Sequence, residues 1–120
     1  MEDHKNLNLG KKGEEIAAEY LKKKGYRILA QNFRVKGGEL DIVAEKNGEI
    51  VFVEVRARNS NAIVSPAESI TQEKRRRLRR AAEIFLVSKG LDLHPCRFDF
   101  IFVVKNNKKF EIEHLENVYI

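Results

Sequence analysis

The sequence has few of the residues that cross-link a chain or carry it through a membrane. Its single cysteine, Cys96, excludes an intramolecular disulfide and a cysteine-rich zinc site. Its three histidines, at positions 4, 94 and 114, do not follow a metal-ligand spacing, and each is expected to be an ordinary surface or strand residue. No apolar run approaches the ~20 residues that a membrane-spanning helix requires. These absences predict a soluble, cytoplasmic protein.

The remaining composition is sufficient for one hydrophobic core. A length of 120 residues, 42% of them hydrophobic, predicts a single domain over residues 1–120. The formal charge of +5 comes from 23 basic and 18 acidic residues, so the basic excess is mild. It is concentrated, however, because residues 74–80 are all basic except Leu78. Phosphate contacts depend on local potential, so this cluster says more about a partner than the net charge does.

A β-hairpin is the most informative local feature of the chain. Asn47-Gly48 lies between two β-branched runs, which is the strongest short-range signal for a two-residue turn. In that register Asp41 falls opposite Glu54, and Glu39 falls opposite Arg56. Side chains alternate along a strand, so these four ionisable residues are expected on one face. That face also carries Val43 and Phe52, and the other face carries Leu40, Ile42, Ala44, Val51, Val53 and Val55.

Two carboxylates in direct opposition require compensation. Opposed residues hold their Cβ atoms ~5 Å apart, and like charges there destabilise the pair. At an effective dielectric of about 20 the repulsion is roughly 3 kcal/mol. A divalent cation between Asp41 and Glu54 would remove this penalty, since Mg²⁺ and Mn²⁺ favour oxygen ligands. The alternative is an ion-pair network of Asp41 and Glu39 with Arg56 at a sheet edge, and a one-residue bulge would break the register.

A first helix is predicted from Leu9 to Lys24, with Gly25 as its C-terminal cap. Glu14 borders the apolar arc of this helix, so two interpretations of it are open. In the first, Glu14 is an acid turned toward a site on the sheet. In the second, which the sequence alone favours, it is an N-terminal acid that complements the helix dipole. Gly10 and Gly13 indicate a close backbone approach on the inner side. The arc consists of Ile16, Ala17, Ala18, Tyr20 and Leu21.

The other predicted elements complete an α/β fold. They are a strand at Tyr26 to Arg34, the hairpin, a loop at Ala57 to Glu68, a helix at Ile70 to Lys89 opened by a capping box at Ser69 and Gln72, and strands at Arg97 to Val104 and Lys109 to Leu115. The second helix has a buried stripe of Leu78, Ala81, Ala82 and Phe85, with Lys74 one turn earlier. The order α-β-β-β-α-β-β predicts a mixed sheet with a parallel crossover and a helix on each face.

Several ordered motifs carry a family resemblance along nearly the whole chain. They are Gly10-x-x-Gly13-Glu14-x-x-Ala17-x-x-Tyr20-Leu21, Gly38-Glu39-Leu40-Asp41, Phe52-Val53-Glu54-Val55-Arg56-x-Arg58, Lys74-Arg75-Arg76-Arg77-Leu78 with Ala81-Ala82, and Arg97-Phe98-Asp99. The pattern resembles the small bacterial YraN-type proteins, an uncharacterised family. These are similar to archaeal Holliday junction resolvases and belong to the PD-(D/E)XK superfamily, which has the restriction-endonuclease-like fold.

The resemblance implies a set of site residues. Asp41 and Glu54 would be the ligands of a catalytic Mg²⁺ or Mn²⁺, and Glu14 would be the helix acid that completes the site. Glu39 is a weaker candidate that would hold Arg56. Arg56 occupies the position where the superfamily has the lysine that positions the attacking water. Arginine stays protonated and cannot be a general base, but it could stabilise charge on the phosphorus or orient a water.

Three functions are compatible with these features. The first is a metal-dependent endonuclease acting on DNA, with branched or otherwise structured DNA among its substrates, whose backbone is held by Lys74, Arg75, Arg76 and Arg79. The second is a nucleic-acid-binding module with a degenerate site and little cleavage. The third is an assembly protein whose basic run is a solvated helix face. The run lies where the helix dipole disfavours cations, which argues for a phosphate partner. A homodimer formed through the apolar tail at 118–120 is also expected, since resolvases act on two strands.

Overall fold

Two helices and five strands follow one another in the predicted order in the computed structural model, which describes residues 2–60 and 70–120, with side chains from Leu9 onward in those ranges. The elements are α1 (Glu2–Lys23), β1 (Arg27–Val35), β2 (Gly38–Lys46), β3 (Glu49–Asn59), α2 (Gln72–Ser88), β4 (Cys96–Asn106) and β5 (Lys109–Leu115). Neither helix is long and apolar enough to cross a membrane.

The five strands form one mixed sheet in the order β1-β2-β3-β4-β5. β3 and β4 are parallel, with α2 between them in the chain, and the other neighbours are antiparallel. A parallel pair needs a crossover, and a helix is the usual one. The structure therefore confirms the predicted α/β architecture, the one expected of a restriction-endonuclease-like fold.

Each face of the sheet is covered by one helix, as predicted. On one face α1 buries Ala17, Ala18 and Leu21 against the central strands, together with Ile42, Ala44, Val51, Val53, Ile101 and Val103. On the other face α2 buries Leu78, Ala81, Ala82 and Phe85 with Val43, Phe52 and Phe100. Phe85 packs edge-on against Phe33 and Phe52, with ring centroids 5.3 and 6.2 Å apart. These contacts fix how each helix is rotated, and hence which of its polar residues reach the sheet.

The first helix is longer than predicted. It begins at Glu2 and not at Leu9, because the polar residues before Leu9 have no apolar periodicity from which a helix could be inferred. It ends at Lys23, one residue before the predicted Lys24, and Gly25 caps it as predicted: Gly25 has φ 92°, and the N–H of Tyr26 donates to the carbonyl of Leu21 at 2.9 Å. The extra turns place Glu14 in the middle of the helix. The dipole effect is confined to the first turn, so the helix-dipole interpretation of Glu14 is wrong.

The two predicted glycine contacts have different outcomes. A Cβ added at Gly13 would lie 2.7 Å from the Cβ of Ala57, so α1 and β3 can approach only because residue 13 has no side chain. A Cβ at Gly10 would meet nothing within 4 Å among the described residues. The prediction of a close approach is therefore confirmed at Gly13 and wrong at Gly10, which faces open space.

The second helix begins later than predicted. Thr71 is its N-cap, and the side chain of Thr71 accepts a hydrogen bond from the N–H of Lys74 at 3.1 Å. Gln72 is therefore the first helical residue instead of Ile70, and the proposed cap Ser69 lies outside the described residues. β3 extends to Asn59, so the loop does not begin at Ala57. The remainder of the predicted loop falls on residues 61–69, which are also outside the described ranges.

The apolar tail packs on its own chain. The N–H of Val118 donates to the carbonyl of Phe98 at 2.7 Å, and Val118 and Ile120 pack against the α2 side of the core. The Arg79 guanidinium donates to the carbonyl of Ile120. Only Tyr119, 85% exposed, faces solvent among the three apolar residues. Dimerisation therefore stays a prediction, but the apolar tail on which it was based packs on its own chain.

Candidate active site

The hairpin has the predicted register from its turn as far as Ile42. The paired residues run from Lys46 and Glu49 to Ile42 and Val53. Asn47 and Gly48 both have positive φ, 53° and 79°, as a type I′ turn requires. The backbone pairing of β2 with β3 stops at this point, one position before Asp41 and Glu54.

The two strands separate beyond Ile42, and the side chain of Asp41 occupies the opening. Its Oδ2 accepts a hydrogen bond from the backbone N–H of Val55 at 2.8 Å, in place of a strand carbonyl. Asp41 and Glu54 are therefore not the ladder pair that was predicted, although the two carboxyls are near enough for Glu54 to raise the pKa of Asp41. We call this place, formed by Asp41, Glu54 and Val55, the fork.

The strand alternation changes at the fork. In β1, Asn32 has φ 52° and lies between the pairs Gln31–Ile42 and Phe33–Leu40. Leu40 packs with the α2-side core, whereas the hairpin pattern placed it on the same face as Ile42. The prediction for Leu40 is wrong because the alternation of side chains along β2 is interrupted at this point, beside the left-handed backbone of Asn32 in β1.

Glu54 lies against α2 at the fork. It is only 4% exposed, and its Oε2 is 2.8 Å from the Nζ of Lys74. The Nη2 of Arg56 is farther from the same oxygen, at 3.6 Å. Lys74 was expected to hold a DNA backbone, and the structure places its ammonium on a buried carboxylate instead. Its position one turn before Leu78 on the buried stripe was the signal for this contact.

The Asp41 carboxyl of the fork does not ionise readily. Burial raises the pKa of Asp41, and the hydrogen bond and repulsion from Glu54 raise it further, to about 7. The N–H of Val55 and the ammonium of Lys74 act in the opposite direction and lower it. The repulsion inferred from the sequence is thus present, and it opposes the ionisation of Asp41.

Glu14 of α1 approaches the fork from the other face of the sheet. Burial raises its pKa, and the nearby charge of Asp41 raises it further, whereas a hydrogen bond from Asn32 lowers it. Glu14 is thus electrostatically linked to the fork, and its role as a helix acid stays a prediction. An acid from α1 and an ammonium from α2 therefore flank the two strand carboxyls.

Glu39 does not face Arg56. It pairs with Arg34 in the β1–β2 ladder, and its Oε2 is 3.4 Å from the Nε of Arg34. The prediction is wrong because β2 leaves β3 at Asp41 but remains paired with β1. Within the described residues, neither Glu39 nor Asp41 forms an ion pair with Arg56, so the alternative network is not formed.

The basic residues of α2 differ in their exposure and in their hydrogen-bond partners. Arg75 is half-buried, and its Nε has no hydrogen-bond partner among the described residues. Arg76 is exposed and pairs with Glu73 one turn away, while Arg79 reaches Ile120 as described above. Arg80, which was not singled out from the sequence, donates from Nε to the carbonyl of Lys36 at 2.7 Å. The run therefore extends onto the β1–β2 turn and forms a wider basic surface.

A second polar cluster lies at β4 and β5, and we call it the Asp99 network. Asp99 is fully buried and accepts hydrogen bonds from Arg97 Nε at 2.9 Å, His114 Nε2 at 2.8 Å and the N–H of Asn117 at 3.0 Å. Burial alone would raise the pKa of Asp99, but the bonds from His114 and Arg97 outweigh it and lower the pKa. Arg97 also donates to Glu49, Tyr26 and Glu116.

Part of this network could hold a metal ion by distance alone. Potential ligand atoms of Asp99, His114 and Glu116 lie within 4.8 Å of one another, and this is the one such group among the described residues. Sequence reasoning missed it and expected His114 to be an ordinary residue. The only signal was Arg97-Phe98-Asp99, which matched the family pattern without an assigned role. His114 also contacts Tyr20, whose hydroxyl is 3.0 Å from Nδ1.

Comparison with known proteins identifies the family. The model of the uncharacterised protein family UPF0102 matches residues 13–103, a segment that contains the fork. A UPF0102 protein of Alkaliphilus oremlandii is 44% identical over 116 residues, which cover 95% of this chain and 99% of that protein. A UPF0102 protein of Persephonella marina is 44% identical, over 92% of this chain and 91% of that protein. A UPF0102 protein of Syntrophomonas wolfei is 43% identical, over 95% of this chain and 99% of that protein. The chain therefore belongs to the uncharacterised protein family UPF0102, which confirms the predicted family.

Proposed function

We propose that this protein is a divalent-metal-dependent endonuclease that hydrolyses DNA phosphodiesters. One observation carries the proposal: the buried carboxyl of Glu54 and the half-buried carboxyl of Asp41 interact where the hairpin strands separate. Buried like charges are costly unless they are paired or coordinate a metal. Titratable groups perturbed by burial and by a specific neighbour are also enriched at functional sites.

The residues of the fork fit Mg²⁺ or Mn²⁺. Carboxylate oxygens are the hard ligands that these ions prefer, and Mg²⁺ often takes only one or two carboxylates with water and phosphate oxygens. Asp41 and Glu54 would hold the ion, and Glu14 lies close enough to Asp41 for the charge of Asp41 to raise the pKa of Glu14. A bound divalent ion would polarise the phosphate and lower the pKa of a water to make it a nucleophile.

The protein's own basic side chains would act on the phosphate. Arg56 is 3.6 Å from Glu54 and permanently charged, so it can donate hydrogen bonds to a developing phosphorane but cannot accept a proton. Its Nε is buried without a partner among the described residues, leaving a donor unsatisfied. A phosphate oxygen would supply the acceptor. Arg56 is thus proposed as a charge-stabilising group and not as the base.

DNA would be held by the basic surface around α2. We propose that the predicted residues Arg75, Arg76 and Arg79 contact phosphates, together with the exposed Arg77, Arg80 and Lys36. These residues lie on both flanks of the helix whose first turn reaches the fork. Such contacts supply affinity without sequence preference. Branched or otherwise structured DNA as a substrate rests on the superfamily resemblance alone.

A second function is favoured by one specific observation. The Nζ of Lys74 lies 2.8 Å from the Oε2 of Glu54, and Arg56 is at the position where the superfamily has its lysine. A site that already balances its carboxylate in this way would bind a divalent ion less well. The alternative is therefore a DNA-binding module that has the nuclease fold but cleaves slowly or not at all.

Cleavage of a DNA panel distinguishes these functions. Linear, single-stranded, flapped and four-way DNA would be incubated with Mg²⁺ or Mn²⁺ and either wild type, Glu54→Gln or the matched control Glu45→Gln. Glu45 is on the same hairpin but pairs with Arg27 at 2.6 Å, away from the fork. We expect cleavage by wild type and Glu45→Gln and none by Glu54→Gln. Salt-sensitive binding without cleavage by any of them would favour the binding module, and equal cleavage by Glu54→Gln would contradict both the site and its metal.

A further inference from the structure

The ammonium closest to the fork belongs to α2 and not to β3. Lys74 Nζ is 2.8 Å from Glu54 Oε2, within hydrogen-bond distance, whereas Arg56 Nη2 is 3.6 Å away. The Lys74 side chain is only 25% exposed, so its charge is largely withdrawn from water. A charge-assisted hydrogen bond at this distance is among the stronger polar contacts in proteins.

The position of Lys74 is set by the start of α2. The Thr71 side chain accepts the N–H of Lys74, which makes Lys74 the third residue of the helix and fixes where the helix begins. Leu78, one turn later, is buried on the sheet, so the Lys74 stem lies over the same face. The side chain is therefore directed at β3 by the backbone and by core packing.

This placement is unfavourable for a lysine without a specific partner. The first turn of a helix disfavours cations, and ordering a long side chain loses much rotamer entropy. Arg76, two residues on, shows the ordinary alternative, since it stays exposed and pairs with Glu73 on the helix surface. Lys74 instead reaches a carboxylate that is itself 4% exposed. The contact is thus a feature of the fork and not of the basic surface.

We propose that Lys74 takes the role of the missing motif lysine. This inference rests on the proposed nuclease function. In the metal-free protein the ammonium neutralises Glu54 and keeps the two carboxyls together. Lys74 must release Glu54 to a divalent cation, and its ammonium is then free to donate hydrogen bonds to a phosphate oxygen or to the attacking water. Lys74 is therefore both the competitor of the metal and a catalytic residue.

The two roles give opposite effects for one substitution. Lys74→Met keeps most of the stem but removes the charge, so it should bind Mn²⁺ roughly tenfold more tightly, because a competing cation is gone. The same variant should cleave DNA roughly 100-fold more slowly at saturating Mn²⁺, as expected for loss of a group that stabilises the transition state. A purely structural lysine would change neither in this way.

The experiment compares Mn²⁺ binding by calorimetry without DNA and single-turnover cleavage at saturating Mn²⁺. The variants are Lys74→Met, Lys74→Arg, Arg56→Lys and the control Lys89→Met, which removes an exposed charge from the far end of α2. We expect wild-type Mn²⁺ affinity for Lys74→Arg, because its charge remains. Arg56→Lys should not raise the cleavage rate, because Lys74 already supplies an ammonium at the fork, and Lys89→Met should match wild type. Circular dichroism verifies that each variant is folded, and Lys74→Gln replaces Lys74→Met if the latter is not.

Two results would overturn the inference. One is unchanged Mn²⁺ affinity in the neutral Lys74 variant, and the other is wild-type cleavage by that variant, whether or not Arg56→Lys gains activity. If wild type cleaves no DNA, the proposed nuclease function fails, and the Mn²⁺ titration still decides whether Lys74 is the metal's competitor. If wild type binds no Mn²⁺, the neutral variant must gain binding, and its failure to do so overturns the inference.

Discussion

Asp41 at the fork and Asp99 at β4 lie in the same sheet, but their carboxyls have opposite surroundings. Asp99 is fully buried, receives hydrogen bonds from Arg97, His114 and the backbone of Asn117, and has a lowered pKa despite its burial. Asp41 is less buried, but it has one backbone donor and a second carboxyl beside it, so its pKa rises to about 7. Burial alone therefore does not determine which carboxyl has a raised pKa.

The difference separates a structural cluster from a candidate binding site. The Asp99 network contains its own cation, Arg97, whose pKa is raised above its ordinary value chiefly by the hydrogen bond to Asp99. A metal at Asp99, His114 and Glu116 would compete with that guanidinium. At the fork both cations, the Lys74 ammonium and the more distant Arg56 guanidinium, pair with Glu54, and neither forms an ion pair with Asp41 among the described residues. The absence of an ion pair at Asp41 within the described residues, more than the proximity of acidic groups, supports the proposal that the fork binds a divalent cation.

The largest expected effect is loss of stability at the Asp99 network. Asp99→Ala leaves Arg97 with its guanidinium half-buried and without its main partner, and breaking a buried ion pair from one side typically costs about 3–5 kcal/mol. Urea denaturation at pH 7 should show a loss of this order. A loss below about 1 kcal/mol would contradict a structural role for Asp99.

At the fork the corresponding change should act in the opposite direction. Asp41→Asn keeps an acceptor for Val55 and a donor for Glu54, so it should stabilise the metal-free protein by about 1–3 kcal/mol at pH 8. The folded-state pKa of Asp41, about 7, lies above the ordinary value of 3.8. The stability that protonated Asp41 contributes is therefore complete below pH 3.8 and is lost as the pH rises through about 7.

The pH dependence supplies the control for that prediction. The gain from Asp41→Asn should shrink as the pH is lowered from 8 to 5, because the wild-type carboxyl becomes protonated and resembles the amide. Denaturation curves at both pH values measure the difference. A constant gain at the two pH values would show that ionisation of Asp41 is not its cause.

Divalent ions should stabilise the protein through the fork alone. At a Mn²⁺ concentration of about 100 times the dissociation constant, wild type should gain about 2.7 kcal/mol, and Asp41→Asn or Glu54→Gln should gain far less. The gain should also decline below pH 7, since the ligand carboxyl must lose its proton to bind the ion. Thermal melts with and without Mn²⁺ measure it, and an equal gain in Glu54→Gln would place the ion elsewhere.

The smallest effects are expected on the basic surface. If about five phosphates are contacted, the affinity for DNA should fall with a log–log salt slope of about −5, and Arg77→Gln or Arg80→Gln should each reduce that slope by about 1. The matched variant Lys108→Gln, on the β4–β5 turn, should leave the slope unchanged. A slope near zero for wild type would favour an assembly role with a solvated basic face.

The sequence predicted the regular parts of the structure well. Asn47-Gly48 gave the hairpin register, and the apolar stripes gave the faces of both helices, because these features depend on local turn chemistry and simple periodicity. The position of Lys74 on the stripe of α2 was also visible. Its partner, Glu54, could not be predicted, because an apolar stripe shows the direction of a side chain but not the residue that it contacts on another element.

The unpredicted features depend on departures from regularity. Asp41 replaces a strand contact with a side-chain hydrogen bond, and Asn32 adopts left-handed backbone in the neighbouring strand. Neither leaves a pattern in the sequence, so Leu40 and Glu39 were misplaced. The Asp99 network joins residues from separate elements, such as Tyr26 and Glu116, which only the folded sheet brings together.

The most direct measurement is a calorimetric titration of Mn²⁺ into wild type, Glu54→Gln and His114→Asn at pH 8. Binding at the fork predicts one site per chain in wild type and in His114→Asn, and none in Glu54→Gln. Binding that is retained in Glu54→Gln and lost in His114→Asn would place the metal at the Asp99 network. That result would contradict the assignment of the fork as the catalytic site.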